Sequence, residues 1–198
     1  MRWGDAAPAA NLIARKLVTH PDPLRPEGRR GSGTVVLGVG NPDRGDDAVG
    51  RVVARLLRSR LRSDIEIAEL DGEATAILGA LQGSERAWLI DAAQSGARAG
   101  TIHRIDCCVA GAVIPRSTVS SHGFGVAEAI ALARTLGMLP PRCIVYAIEA
   151  AGFIHGAPLS PAVAHAALDV ADRILAELTP PPPSSRHPRH PAPATDRR

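Results

Sequence analysis

Residues 34–61 read TVVLGVGNPDRGDDAVGRVVARLLRSRL, and this stretch decides the fold. Its first six residues are a β-branched apolar run with no polar alternation, the pattern of a strand buried on both faces. After a polar loop, Val49, Val52, Val53, Leu56, Leu57 and Leu61 recur at three- and four-residue spacing, opposite Arg51, Arg55, Arg58 and Arg62. That spacing makes an amphipathic helix with one apolar stripe.

Working outward, the same alternation continues. Residues 64–70 (DIEIAEL) read as a strand and 74–81 as a short helix. Residues 87–90 (AWLI) are a second buried strand, closed by Asp91. A turn at 95–100 leads into a strand at 101–105, and Ser120 and Ser121 open a helix running to about Leu136. Residues 143–148 form the last strand, and Ser160-Pro161 is an N-cap followed by proline at the first helical position. Val163, Ala167, Val170, Ala171, Ile174, Leu175 and Leu178 line the closing helix. The order β-α-β-α-β-β-α-β-α predicts an α/β fold of three αβα layers, with a largely parallel twisted sheet between helices.

The chain has 198 residues, 45% hydrophobic and 22% charged, which suits one domain with tails. Residues 1–33 carry four prolines and the run Arg29-Arg30-Gly31-Ser32-Gly33, and read as a flexible extension. Residues 179–198 are a Pro/Arg/His mixture expected to be disordered, which leaves 34–178 as the folded unit. The net charge of +3 resides in those ends. Residues 1–33 hold six basic and three acidic side chains and 179–198 hold four and one, leaving thirteen basic against sixteen acidic in the body. A mildly acidic body is the wrong footprint for a phosphate backbone, so no nucleic-acid partner is expected. No run of 18 apolar residues occurs, so no membrane insertion is expected. Three cysteines (Cys107, Cys108, Cys143) cannot build a disulfide framework, and core packing is expected for all three. With no signal-peptide pattern, the cytoplasm is the expected compartment.

Open α/β sheets place their sites at the carboxyl ends of the strands. Those ends carry Asp46-Asp47 after the first strand, Asp71 after the second, Asp91 after the third and Glu149 after the last, with His122 at the start of the helix before it. Such a rim suits metal binding or acid–base chemistry. Each member also has a plain structural role: the Asp pair as helix N-terminal acids, Asp71 as a turn residue before Gly72, His122 as a helix-start histidine. Asp91 is hardest to explain that way, because it closes an apolar run and needs partners once desolvated. Gly38-Val39-Gly40 suggests a dinucleotide loop, but Asp43 stands where the third glycine belongs, and the two acids that follow would repel a pyrophosphate. No GxSxG elbow, HExxH motif or P-loop is present.

In register along 34–178, the chain carries Gly38-Val39-Gly40-Asn41-Pro42-Asp43-Arg44-Gly45-Asp46-Asp47-Ala48-Val49-Gly50, Leu70-Asp71-Gly72, Leu89-Ile90-Asp91-Ala92, Ser121-His122-Gly123-Phe124-Gly125, Ile148-Glu149 and Leu159-Ser160-Pro161. This series resembles the endopeptidases that mature nickel-iron hydrogenases. The resemblance implies a twisted sheet between helix layers, in a hydrolase- or phosphorylase-like architecture. It implies removal of a C-terminal extension from a hydrogenase large-subunit precursor once nickel is inserted, with the precursor's nickel as recognition element. It places the family's metal contacts on Asp47, Asp91 and His122, a mixed O/N set suited to nickel or zinc. No other cofactor is implied, and a monomer is expected.

On this reading Asp47, Asp91 and His122 grip the precursor's nickel and align the scissile bond. Water attacks, with a rim carboxylate as general base or the metal as Lewis acid, and Asp71 is the supporting carboxylate. The sequence departs from the family in having Asp47 where some members have Glu, Glu73-Ala74 after Asp71-Gly72, and Ala150 where proline often follows the glutamate. Gly-Val-Gly-Asn-Pro also resembles peptidyl-tRNA hydrolases, but those need a basic face and a histidine shortly after the loop. A non-catalytic nickel-checkpoint or metallochaperone module is the rival from another class.

Overall fold

The computed structural model describes residues 33–115 and 125–179. Strands β1 (Thr34–Val39), β2 (Glu66–Leu70), β3 (Arg86–Ala93), β4 (Ile102–Asp106) and β5 (Arg142–Glu149) form one sheet in the order β2-β1-β3-β5-β4. β1, β2, β3 and β5 are parallel, and β4 alone runs antiparallel along β5. The helices are α1 (Val49–Arg58), α2 (Ala74–Leu81), α3 (Val126–Thr135) and α4 (Pro161–Leu178). The expected α/β class and element order therefore stand.

Period-two alternation sorts the strand residues into two cores. Val36, Trp88, Ile90, Ile144, Tyr146 and Ile148 face α1 and α4, whereas Val35, Leu37, Leu89, Cys143, Val145 and Ala147 face α2 and α3. All six residues of β1 are buried, as its unbroken apolar run requires of a strand with helices on both faces. Edge strand β2 is only half-buried, and Arg55 and Arg58 of α1 reach over it to Glu69, at 2.7 and 3.1 Å.

Two boundaries and the use of one cap differ from expectation. β3 runs on through Asp91 to Ala93, because its pairing with β5 continues from Arg86↔Arg142 to Ala93↔Glu149. Asp91 is thus inside a strand, opposite Ala147, and not at its end. α3 starts at Val126: Gly125 is extended there (φ −107°, ψ −161°), and its amide donates to the Glu128 carboxylate at 3.0 Å. The proposed opening at Ser120 and Ser121 lies outside the described residues. Ser160 is the N-cap of α4 with Pro161 at N1, yet its hydroxyl caps nothing and is used elsewhere.

At the amino-terminal half of the sheet, Glu177 on the last turn of α4 ties three strands together. It accepts hydrogen bonds from Trp88 Nε1 (2.9 Å), Tyr146 Oη (2.7 Å) and Arg104 Nε (2.9 Å), with Arg142 Nη2 at 3.6 Å. Arg142 also lies over the Trp88 ring, 5.2 Å from its centroid. Burial alone would raise the Glu177 carboxyl, but the bonds from Arg104, Tyr146 and Trp88 outweigh it and bring the pKa down to about 2. The folded chain thus releases this proton more readily than the unfolded one, and the stabilisation is complete above the ordinary glutamate range. Glu177→Gln should destabilise the fold by about 1–3 kcal/mol at neutral pH. The difference from wild type, read by urea unfolding, should shrink as pH falls below 4.5 toward about 2.

Candidate active site

β1 leads through α1 to β2 on one side of the sheet, while β3 is followed by elements on the other side. The crevice between the carboxyl ends of β1 and β3 is therefore the topological switch point, where open α/β sheets bind ligands. Asp47 and Asp91 flank it.

Glycine makes the arrangement possible. A Cβ on Gly50 would stand 2.3 Å from the carbonyl oxygens of Val39 and Ile90, and a Cβ on Gly38 would stand 2.3 Å from that of Gly50. The first turn of α1 thus rests directly on the backbones of β1 and β3. Gly40 turns the chain upward at φ +133°, with a Cβ position 1.8 Å from the Asp47 carbonyl oxygen that no side chain could occupy. The would-be dinucleotide glycines therefore serve close backbone packing, and a single 3-10 turn (Gly45–Ala48) carries the acid pair over the crevice.

The two adjacent acids have different environments. Asp46 is 2% exposed, and its carboxylate accepts the amides of Ala151 (2.8 Å), Gly152 (3.4 Å) and Ser160 (2.6 Å) and the Ser160 hydroxyl (2.9 Å). It pins the 151–160 segment to the β1 loop, a structural role like that expected of a helix-start acid but served across the fold. Asp47 is half-buried; burial raises its carboxyl, against the Asn41 amide and the Arg44 charge, which lower it.

Asp91 is half-buried by its surface exposure and sits on the α2/α3 face of β3 by strand alternation. Its Oδ1 accepts the Ala92 amide at 2.8 Å. Burial pushes its pKa up to about 7; that hydrogen bond opposes the rise and the neighbouring Asp47 charge adds to it. Asp47 and Asp91 therefore lie within electrostatic reach of each other, the pair that the sequence placed on one rim.

The other candidates separate from this pair. Asp71 is exposed beyond β2 and accepts the Glu73 amide at 3.2 Å, the geometry of a turn residue. Glu73 is exposed and takes the Thr75 hydroxyl at 2.7 Å. Glu149, 1% exposed, accepts the amides of Ser95 (2.6 Å), Gly96 (2.8 Å) and Ala97 (3.1 Å) and the Ser95 hydroxyl (2.9 Å). Those bonds outweigh burial and hold its carboxyl below the ordinary range, so it stays charged and pins the 95–97 turn. His122 lies outside the described residues. Among the described residues no group of three or more His, Cys, Asp or Glu side chains is arranged to hold a metal ion.

Sequence reasoning passed over Arg44. It lies 5.9 Å from the Phe153 ring centroid and its charge acts on Asp47, placing a cation at the mouth of the acid pair. Its position between Asp43 and Asp46-Asp47 was the available signal.

A family model described as hydrogenase maturation protease matches residues 51–177. That span includes Asp71 and Asp91, while Asp47 precedes it. No curated protein sequence matches the chain significantly. Among solved structures, the hydrogenase maturating endopeptidase HybD from E. coli is 23% identical, with a TM-score of 0.59, over 73% of this chain and 91% of that one. An endopeptidase from Escherichia coli solved in solution is 20% identical with a TM-score of 0.62, over 73% and 91% of the two chains. A [NiFe] hydrogenase maturation protease HycI from Thermococcus kodakarensis is 21% identical with a TM-score of 0.54, over 72% and 90%. At these identities the structures report a shared fold.

The raised carboxyl of Asp91 has a thermodynamic consequence. The folded chain holds this proton to about pH 7, whereas the unfolded chain releases it near 3.8, so wild-type stability falls as pH rises through that window. Asp91→Asn removes the buried charge and should stabilise the fold by about 1–2 kcal/mol near pH 8, a figure reduced for the water that a half-buried group retains. Thermal unfolding of both proteins should show that gain vanishing toward about pH 4.

Proposed function

Because the chain belongs to the hydrogenase maturation protease family, we propose that it is the endopeptidase that removes a C-terminal extension from a nickel-iron hydrogenase large-subunit precursor after nickel insertion. The observation that carries this reading is the meeting of Asp47 and Asp91 at the β1/β3 switch point, with the burial-raised Asp91 carboxyl beside a second acid. Nickel in this account is cargo of the substrate. Two hard oxygen donors, with His122 as the third contact, leave coordination positions for the precursor's own ligands.

Asp47 and Asp91 orient the precursor by holding its metal centre against the crevice, which fixes the C-terminal strand of substrate relative to the rim. Water is the nucleophile. A rim carboxylate accepts a proton from that water and returns it to the leaving amine. Asp71, at the neighbouring strand end, is assigned a supporting role toward the peptide backbone. Arg44 and Phe153 form the wall next to Asp47, where an extended peptide passes. The reaction takes place in the cytoplasm, and the protein acts as a monomer. Among the described residues no helix is long and apolar enough to cross a membrane.

The test is a cleavage assay on the cognate precursor, with and without nickel, read by intact mass. A shortened large subunit only from the nickel-loaded form is the expected result. Asp91→Ala should lower the cleavage rate by about 10²–10⁴-fold or more, and Asp71→Asn by less than about tenfold. Nickel-dependent binding with no change of mass would instead assign the chain to a non-catalytic checkpoint in hydrogenase assembly.

A further inference from the structure

The sheet edge opposite the carboxylate rim holds all three cysteines. Cys143 is the second residue of β5, and Cys107 follows directly after β4. Extending the β4/β5 register from Asp106↔Ile144 by one residue sets Cys107 opposite Cys143, and the Cys107 amide donates to the Cys143 carbonyl at 2.8 Å. Both side chains are buried in the same core, against α2 and α3, and their thiols interact directly. Hydrogen-bonded antiparallel partners have Cα atoms about 5.5 Å apart, inside the range of roughly 4.4–6.8 Å that a disulfide spans. Cys108, next in the chain, is exposed, contrary to the core role expected of it; its Sγ donates to the carbonyls of Pro140 (3.5 Å) and Pro141 (3.2 Å). An open cleft of about 620 Å³ is lined by Cys107, Cys108, Arg134 and the Pro140-Pro141 turn.

We propose that Cys107 and Cys143 are a redox pair, converted by a hydroperoxide entering this cleft into a reversible cross-strand disulfide between β4 and β5. Cys107 is the attacking sulfur, because it lines the cleft and Cys143 does not. The polar surroundings agree with this order. The Cys143 thiol lowers the Cys107 pKa, burial opposes that, and the Arg134 charge lowers it further; the interaction with Cys107 and then burial raise Cys143. Arg134 is held there by its bond to the Cys107 carbonyl, at 2.7 Å. A side chain only 1% exposed favours a small oxidant such as hydrogen peroxide over a bulky disulfide.

In the first step the Cys107 thiolate attacks one peroxide oxygen, forming an S–O bond and breaking O–O, and the released hydroxide takes up a proton as water. In the second, Cys143 sulfur attacks Cys107 sulfur, forming S–S and breaking S–O; the hydroxyl leaves with the Cys143 proton as a second water. Each sulfur is oxidised by one electron, and the peroxide takes both.

The experiment treats the full chain with hydrogen peroxide, blocks free thiols under denaturing conditions, and maps peptides by mass. Wild type and Cys108→Ser should each lose two hydrogens, yield one linked peptide pair containing Cys107 and Cys143, and regain full alkylation after dithiothreitol. In Cys143→Ala, a sulfenic acid on Cys107 should accumulate and be trapped by dimedone. Oxidation confined to Cys108, a Cys107–Cys108 link, or unmodified Cys107 and Cys143 at peroxide doses that leave the fold intact would overturn the proposal. Should Cys143→Ala not fold, the linkage map of wild type and Cys108→Ser decides alone.

Discussion

The rest of the structure depends on one contact, the first turn of α1 seated on the bare backbones of β1 and β3. Gly38 and Gly50 face each other across it, and any side chain at either would meet a carbonyl oxygen at 2.3 Å. Raising the helix by even a methyl group would lift the 3-10 turn, and with it Asp47, away from the crevice. Close packing of this kind leaves no slack, because protein interiors are filled to crystal-like density. The same contact brings the helix end near Asp91, so backbone packing sets the electrostatics of the pair.

Four carboxylates at or near the strand ends show how environment divides labour among identical groups. Asp46 and Glu149 are almost wholly buried, yet each is ringed by amides and a serine hydroxyl. Desolvation is thereby compensated, and both act as pins for loops. Asp91 has one amide and a like charge nearby, and Asp47 has an amide and one arginine set against burial. Their charged forms are under-compensated in the free chain, which a cation would relieve.

The fold was legible because its signals are local. An unbroken apolar run cannot be a surface strand, and three- and four-residue spacing opposite arginines leaves little besides a helix. The site was legible only in outline. Asp46 and Asp47 are neighbours of one type, and what separates them is Ser160, 114 residues away, whose amide and hydroxyl claim Asp46. No local pattern encodes that partner. By sequence Asp91 reads as a strand terminus because apolar character stops there, but β-pairing with β5 carries the strand two residues further. Glu149 looked like a rim acid and proves to be a pin, since the 95–97 turn folds back over it. The apolar neighbours of Cys108 point to the core, whereas the chain turns just after β4 and leaves it outside.

The two edges of the sheet carry opposite kinds of polar chemistry, and the difference bears on how an under-compensated pair can persist. At the amino-terminal half, Glu177 gathers an indole, a phenol and two guanidinium groups, binding α4 to β3, β4 and β5. Every member there has a partner, and the carboxyl is driven toward its charged form. At the carboxyl edge the balance is reversed for Asp47 and Asp91. A domain of this size has only a modest margin of stability, so a destabilising pair is tolerable when the opposite end of the same strands is well fastened. β3 connects the two directly: Trp88 lies in the fastened network and Asp91 lies three residues on, at the crevice. A compensated network and an under-compensated acid are thus laid out along one strand, and the fastened end holds in place the residues whose solvation at the other end is incomplete.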